Sequence, residues 1–191
     1  MRKVVALAFV TLDGFTTGPG GETDWQLRAF NEEMGEFVFQ EYAAADILLL
    51  GRRTYEQFAD YWQQQPAADP EALRMNSVSK IVFSNTLTTA AWKNTTLVSN
   101  NIPLVISQLK QQPGKDLLIV GSIGLIQSFT NMKLIDEFRL LIYPVMLGTG
   151  RRLFANLSEL QQFTFIRSRI FSNGVLLGVY KPAPQWKCSF M

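Results

Sequence analysis

Four apolar runs, each passing into a small or polar cluster and then into a helical pattern, constrain this chain more than any other feature. Val4–Thr11 is almost continuously apolar. That is the pattern of a strand covered on both faces, not the alternation of a half-solvated one. Asp46–Leu50, Lys80–Phe83 and Asp116–Val120 repeat it, and Thr95–Val98 is a shorter candidate. Strands buried on both faces need helices on both faces, and strand–helix alternation favours parallel pairing.

The intervening segments supply helices. Leu27, Phe30, Met34, Phe37, Val38 and Tyr42 recur mostly three or four apart, which predicts one helix from about Asp24 to Ala44 with Asp24 as N-cap. Further helices are predicted over about Arg53–Tyr61, Ile102–Lys110 and Ile123–Thr130, with Gln63–Pro70 as a surface loop. The last third differs. Glu137–Tyr143 is a strand with no crossover helix after it, and Phe163–Phe171 and Val175–Tyr180 flank Ser172-Asn173-Gly174, a strong hairpin signal. The predicted fold class is α/β: a mainly parallel sheet with an antiparallel C-terminal hairpin. With 191 residues, 47% of them hydrophobic, the chain reads as one domain over residues 1–181, with 182–191 as a tail.

Composition removes several chemistries. The chain has no histidine, so His-based triads, His metal sites and His proton shuttles are excluded. A single cysteine, Cys188, excludes an intrachain disulfide and a cysteine zinc site, so no metal is expected and a reducing cytoplasm fits. A net charge of +2 argues against a nucleic-acid partner. The longest clean apolar run, Val4–Val10, is far below the roughly 18 residues of a membrane span. The expected partner is a small-molecule substrate.

In open α/β sheets ligands bind outside the carboxyl ends of the strands. Here those ends read Gly51-Arg52-Arg53-Thr54, Ser84-Asn85-Thr86 and Gly121-Ser122-Ile123-Gly124. Arg52 and Arg53 fall at a predicted helix N-terminus, where the positive macrodipole disfavours cations unless an anion joins them. Phosphate held by Arg and helix N-terminus together answers that; two solvated arginines are the alternative. Gly121-Ser122 is either a close approach to a ligand or a tight turn, and it is not a GxGxxG fingerprint. Ser84-Asn85-Thr86 and Asp13-Gly14 both have plain turn readings. Gly148-Thr149-Gly150-Arg151-Arg152 is either an anion loop or a loop whose arginines pair with carboxylates.

Taken in order, these segments resemble the dihydrofolate-reductase-like superfamily. The nearest branch is the C-terminal reductase domain of the bifunctional riboflavin-biosynthesis protein and its stand-alone relatives. The likeness is carried by Val10-Thr11-Leu12-Asp13-Gly14-Phe15 with Asp24-Trp25, by Gly51–Glu56, by Lys80–Leu87, by Leu118–Ser122, and by Leu134–Glu137 with Pro144 and Gly148–Phe154. It runs from about Lys3 to Lys181. The resemblance implies a three-layer sandwich, a homodimer, and NADPH bound across three strand ends. Arg52, Arg53 and Thr54 would hold phosphates, Ser84, Asn85 and Thr86 would lie near the adenosine, and Gly121, Ser122, Ile123, Gly124 and Leu125 would contact the pyrophosphate. The nicotinamide would lie near the Asp13 loop, and Trp25, Arg151 and Arg152 would meet substrate. With no histidine in the chain, the proton would come from Asp13 first, or from Asp24, a tyrosine or bound water. The implied reaction is hydride transfer to a small heterocycle or ribosyl-derived compound, as in a 5-amino-6-(5-phosphoribosylamino)uracil reductase. Two alternatives are a folate reductase proper and a dimeric nucleotide-binding domain without catalysis. Gln26-Leu27-Arg28-Ala29 lacks the acid with which folate enzymes grip the pterin, and Gly121-Ser122 stands where the family often has Gly-Gly.

Overall fold

The first strand sets the layers. In β1 (Val4–Thr11) successive side chains go to opposite faces, and both faces are dry. Val5 and Leu7 join one core cluster, and Val4, Ala6, Ala8 and Val10 join another. The computed structural model describes residues 1–155 and 157–184. After β1 come β2 (Phe15–Thr17), α1 (Asp24–Ala29), α2 (Glu32–Ala44), β3 (Ala45–Gly51), α3 (Arg52–Trp62), α4 (Pro70–Ser77), β4 (Ser79–Phe83) and β5 (Thr95–Val98). Then follow α5 (Ile102–Gln111), β6 (Asp116–Val120), α6 (Ile123–Asn131), β7 (Glu137–Tyr143), β8 (Arg151–Arg152), β9 (Phe163–Ile170) and β10 (Leu176–Pro182).

Eight strands form one sheet in the order β5-β4-β3-β6-β1-β7-β10-β9. From β5 to β7 every pairing is parallel; β10 runs antiparallel to β7, and β9 antiparallel to β10. One face packs Leu48, Leu50, Leu118 and Val120 on Met34, Phe37 and Val38 of α2, Tyr55 of α3 and Met75 of α4. The other packs Leu49, Leu117 and Ile119 on Ile106 of α5 and Ile126 and Phe129 of α6. Each fully buried leucine contributes about 1.5–3 kcal/mol relative to exposure, so the run Leu48-Leu49-Leu50 anchors both layers at once. This is the expected α/β sandwich.

Four local expectations need correction. The single helix over Asp24–Ala44 is two, because Asn31 is extended (φ −128°, ψ 174°) and its side chain accepts from the Met34 amide, capping α2. The apolar spacing continues across this break, which hides it. Asp24 is not an N-cap: Thr23 precedes α1 with no side-chain cap, and Asp24 is its first residue. Helix α4 follows the predicted 63–70 loop, started by Asp69, which accepts from the Glu71 and Ala72 amides, and by Pro70 in the first turn. Strand β10 ends at Pro182, so the predicted tail begins one residue later, and residues 185–191, with Cys188, lie outside the described residues. Two very short strands, β2 and β8, pair antiparallel as a separate ribbon over the C-terminal ends of the main sheet.

Candidate functional site

A cleft of about 1030 Å³ opens outside the C-terminal ends of β1, β3, β4 and β6, roofed by the β2–β8 ribbon. Its middle is built where β3 and β6 lie side by side. Gly51 ends β3 and precedes α3; its N–H donates to Ser122 Oγ at 2.9 Å. Thr54 Oγ1, buried in the first turn of α3, donates to the Gly121 carbonyl at 3.3 Å. Gly121 has φ +65°, and an added Cβ would stand 3.3 Å from Thr54 Cγ2, so the turn needs glycine. These two cross-bonds fix α3 and α6 side by side at the cleft floor.

Neither helix is capped by a side chain. Gly51 has none, and the Ser122 hydroxyl is engaged by Gly51 instead of its own helix. Two positive helix ends therefore face one cleft. Arg52 is tied to Glu56 at 3.5 Å, whereas Arg53 is exposed with no ion pair among the described residues. At β4, Ser84 Oγ accepts from the Thr86 and Leu87 amides, a turn closure that leaves Ser84 and Asn85 on the cleft wall and Thr86 off it.

Strand β1 and the ribbon form the other wall. Asp13 does not line the cleft. Its carboxylate accepts from Thr11 Oγ1 and from the Leu147 and Gly148 amides, the latter at 2.7 Å. The Thr11 hydroxyl, ahead of the two amides, holds Asp13 below the usual carboxylate range. Arg152 donates to the Asp13 carbonyl and stacks its guanidinium 4.4 Å from the Phe15 ring, away from the cleft, whereas Arg151 lines it. Asp24 is exposed and off the cleft. Trp25 lies behind the wall, edge-on to Tyr143 with ring centroids 5.0 Å apart.

The structure thus brings Arg52, Arg53, Thr54, Ser84, Asn85, Gly121, Ser122, Ile123, Gly124, Leu125 and Arg151 onto one cleft, and leaves Asp13, Asp24, Trp25, Thr86 and Arg152 off its lining. Sequence reasoning missed Thr16, Thr17, Gly20, Gly21 and Gln26. Gln26 Nε2 donates to the Thr16 carbonyl, which draws α1 onto the ribbon. The glycine density of residues 14–21 was the available signal.

The model of the RibD C-terminal domain matches residues 2–177. The chain belongs to that family. An uncharacterized protein of Bacillus subtilis strain 168, YyaP, is 34% identical over 182 residues, 94% of each chain. Among solved structures, a putative riboflavin biosynthesis protein from Shewanella sp. PV-4 superposes with TM-score 0.78 at 24% identity, covering 96% of this chain and 100% of that one. A diaminohydroxyphosphoribosylaminopyrimidine deaminase/5-amino-6-(5-phosphoribosylamino)uracil reductase from Thermotoga maritima gives 0.68 at 16% identity, over 95% of this chain and 57% of that one. Dihydrofolate reductase from Enterococcus faecalis, complexed with NADP(H), gives 0.60 at 11% identity, over 95% and 97%. The fold is dihydrofolate-reductase-like. No helix among the described residues is long and apolar enough to cross a membrane.

Proposed function

We propose that the chain is an NADPH-dependent oxidoreductase of the riboflavin-biosynthesis reductase type, acting on a small heterocycle or ribosyl-derived compound. The observation that carries this reading is the pair of helix N-termini without side-chain caps, α3 and α6, opening on one cleft beside the unpaired cation of Arg53. That donor set fits a polyanionic dinucleotide: amides and Arg53 toward phosphate, Gly121 for close approach, and Ser84 and Asn85 along the adenosine end. When bound, the cofactor would supply a hydride. The chain's own part is to bind, orient and exclude water. Asp13 serves as a positioning residue, since its ionised carboxylate fastens the 147–148 backbone beneath the ribbon. The proton then comes from water in the cleft, since the Asp13 carboxylate is engaged by backbone amides and Asp24 lies off the lining. Arg151 is the cation that meets an anionic group on substrate.

A folate reductase proper is disfavoured by the carboxylates of α2. Glu33 accepts from Arg169 and Ser172, and Glu41 pairs with Arg139, and neither lines the cleft. The homodimer belongs to the same proposal; its support is β9, an edge strand exposed along all eight residues. The reading is tested by following NADPH absorbance with a panel of pyrimidine, pterin and small carbonyl compounds. Oxidation dependent on one class is expected. NADPH binding with no oxidation by any of them would favour the non-catalytic domain.

A further inference from the structure

Lys80 is a buried cation for which the proposed function has no use. It lies at the start of β4, 1% exposed, and has no ion pair among the described residues. Burial, and next the like charge of Arg74, push its ammonium down to about 8, so it stays mostly protonated at neutral pH. Burying an ammonium is costly unless its protons are placed. Here Nζ donates to the carbonyls of Val78 at 2.8 Å, Lys93 at 3.1 Å and Asn76 at 3.4 Å, and stands 4.1 Å over the Trp92 ring. Asn76 and Val78 belong to the end of α4, and Lys93 to the connection between β4 and β5. One side chain therefore ties the helix end to the connection.

The tie reaches the cleft through Trp92, itself 2% exposed. Its Nε1 donates to Asn76 Oδ1 at 2.7 Å, and its backbone N–H donates to Tyr55 Oη at 3.0 Å. The Trp92 and Tyr55 rings lie 6.2 Å apart. Tyr55 is buried in the N-terminal turn of α3, next to Thr54, whose hydroxyl donates to the Gly121 carbonyl across the cleft floor. The strand carries the same fixing to the wall. Lys80 N–H donates to the Asn94 carbonyl at 2.7 Å, and β4 runs on to Ser84 and Asn85 at the cleft. We propose that Lys80 is a positioning residue for the cleft: its ammonium clamps Trp92, and Trp92 through Tyr55 holds the N-terminal turn of α3 in place to receive an anion. The proposal rests on the reductase reading for the identity of that anion, the phosphates of NADPH, and on the hydrogen bonds alone for the clamp. A lysine that merely stabilises the fold differs in its coupling. A clamp acting through Tyr55 stops mattering to α3 once the Tyr55 hydroxyl is gone, whereas an unrelated loss of stability adds to that change.

The test is a double-mutant cycle of Lys80→Met and Tyr55→Phe. Each variant is titrated calorimetrically with NADPH, and the ligand-free proteins are compared by hydrogen exchange. Lys80→Met keeps most of the volume and removes the charge; Tyr55→Phe keeps the ring and removes the acceptor. Each single change should weaken NADPH by about five- to tenfold, the scale of one lost hydrogen bond, and the double variant should be no weaker than the weaker single. Exchange in α3 should quicken in both singles and no further in the double, while α6 stays within twofold. If Lys80→Met fails to fold, Trp92→Phe takes its place in the cycle, since it offers a poorer π face and deletes the bond to Asn76. Unchanged NADPH affinity in the Lys80 variant or its replacement, or effects that multiply in the double variant, would overturn the proposal, even with a lower melting temperature. A parent that ignores NADPH would reject the reductase reading instead, and exchange in α3 then decides the clamp. The stated pattern keeps it, and any other overturns it.

Discussion

Arg53 stands at the cleft floor with no ion pair among the described residues, and Asp13, off the cleft, is held by the Leu147 and Gly148 amides. A pair of arginines at a helix start is electrostatically wrong without an anion, and the sequence displays that conflict openly. What it hides is that Arg52 has Glu56 one turn on while Arg53 has no such partner. Arg53→Ala should therefore weaken NADPH by about 1–3 kcal/mol, as for a lost charge-assisted hydrogen bond, with the melting temperature of the ligand-free protein unchanged. Titration and thermal unfolding of one variant check both halves. Asp13 was legible as chemically placed but not as engaged, because its partners lie at Leu147 and Gly148, over 130 positions away. Asp13→Asn keeps shape but offers an N–H to two backbone amides. The expected result is a lower melting temperature and turnover reduced about tenfold by misplacement, with NADPH affinity little altered. The pH dependence follows the same bonds. Asp13 and Glu33 are held below their ordinary range by hydrogen bonds from Thr11 and from the Ser172 backbone respectively, so the folded state binds fewer protons than the unfolded one. Their contribution is present above the unfolded value of about 4 and lost as pH falls through the folded values. Stability should be level from neutral pH to about 5 and decline below about 4, measured by denaturant midpoints across that range.

Elements with a strong period were legible, and those without one were not. β1, β3, β4 and β6 announce themselves because each is dry on both faces. β2 and β8 are three and two residues long, too short to carry a period, yet they roof the cleft. Their crossing depends on Gly150, at φ +134°, where an added Cβ would fall 2.0 Å from the Thr17 carbonyl oxygen. Neither the backbone angle nor the overlap tolerates a side chain. Gly150→Ala should cost at least about 1–3 kcal/mol in stability and reduce turnover by disturbing the roof, read from denaturant unfolding and steady-state rates. A mirror case lies at the other end of β4. Lys80 reads as an ordinary charged strand residue, but it is buried and donates to the carbonyls of Val78 and Lys93, with its ammonium 4.1 Å over the Trp92 ring. No sequence pattern marks such a site, since the carbonyls that define it are backbone.

At the scale of the molecule, the order of the sheet was only partly visible. Strand–helix alternation dictated parallel pairing, but nothing local states that β6 inserts between β3 and β1. That insertion brings Gly121 beside Gly51 and makes two separate turns into one floor. The outer edge makes a different demand. β9 exposes Phe165, Ile166 and Ile170 along with its unpaired backbone, an arrangement monomers avoid. If a second copy covers it, sedimentation should give a dimer, and Ile166→Lys should shift it to monomer while leaving NADPH affinity within twofold. In the proposed function, two helix N-termini and Arg53 at the cleft floor serve as a phosphate site for a dinucleotide carrying an extra phosphate. Calorimetric titration of the intact protein with NADPH and NADH tests this most directly. NADPH is expected to bind at micromolar or tighter, with NADH at least tenfold weaker. Equal affinity for the two, or no heat with either, would contradict it.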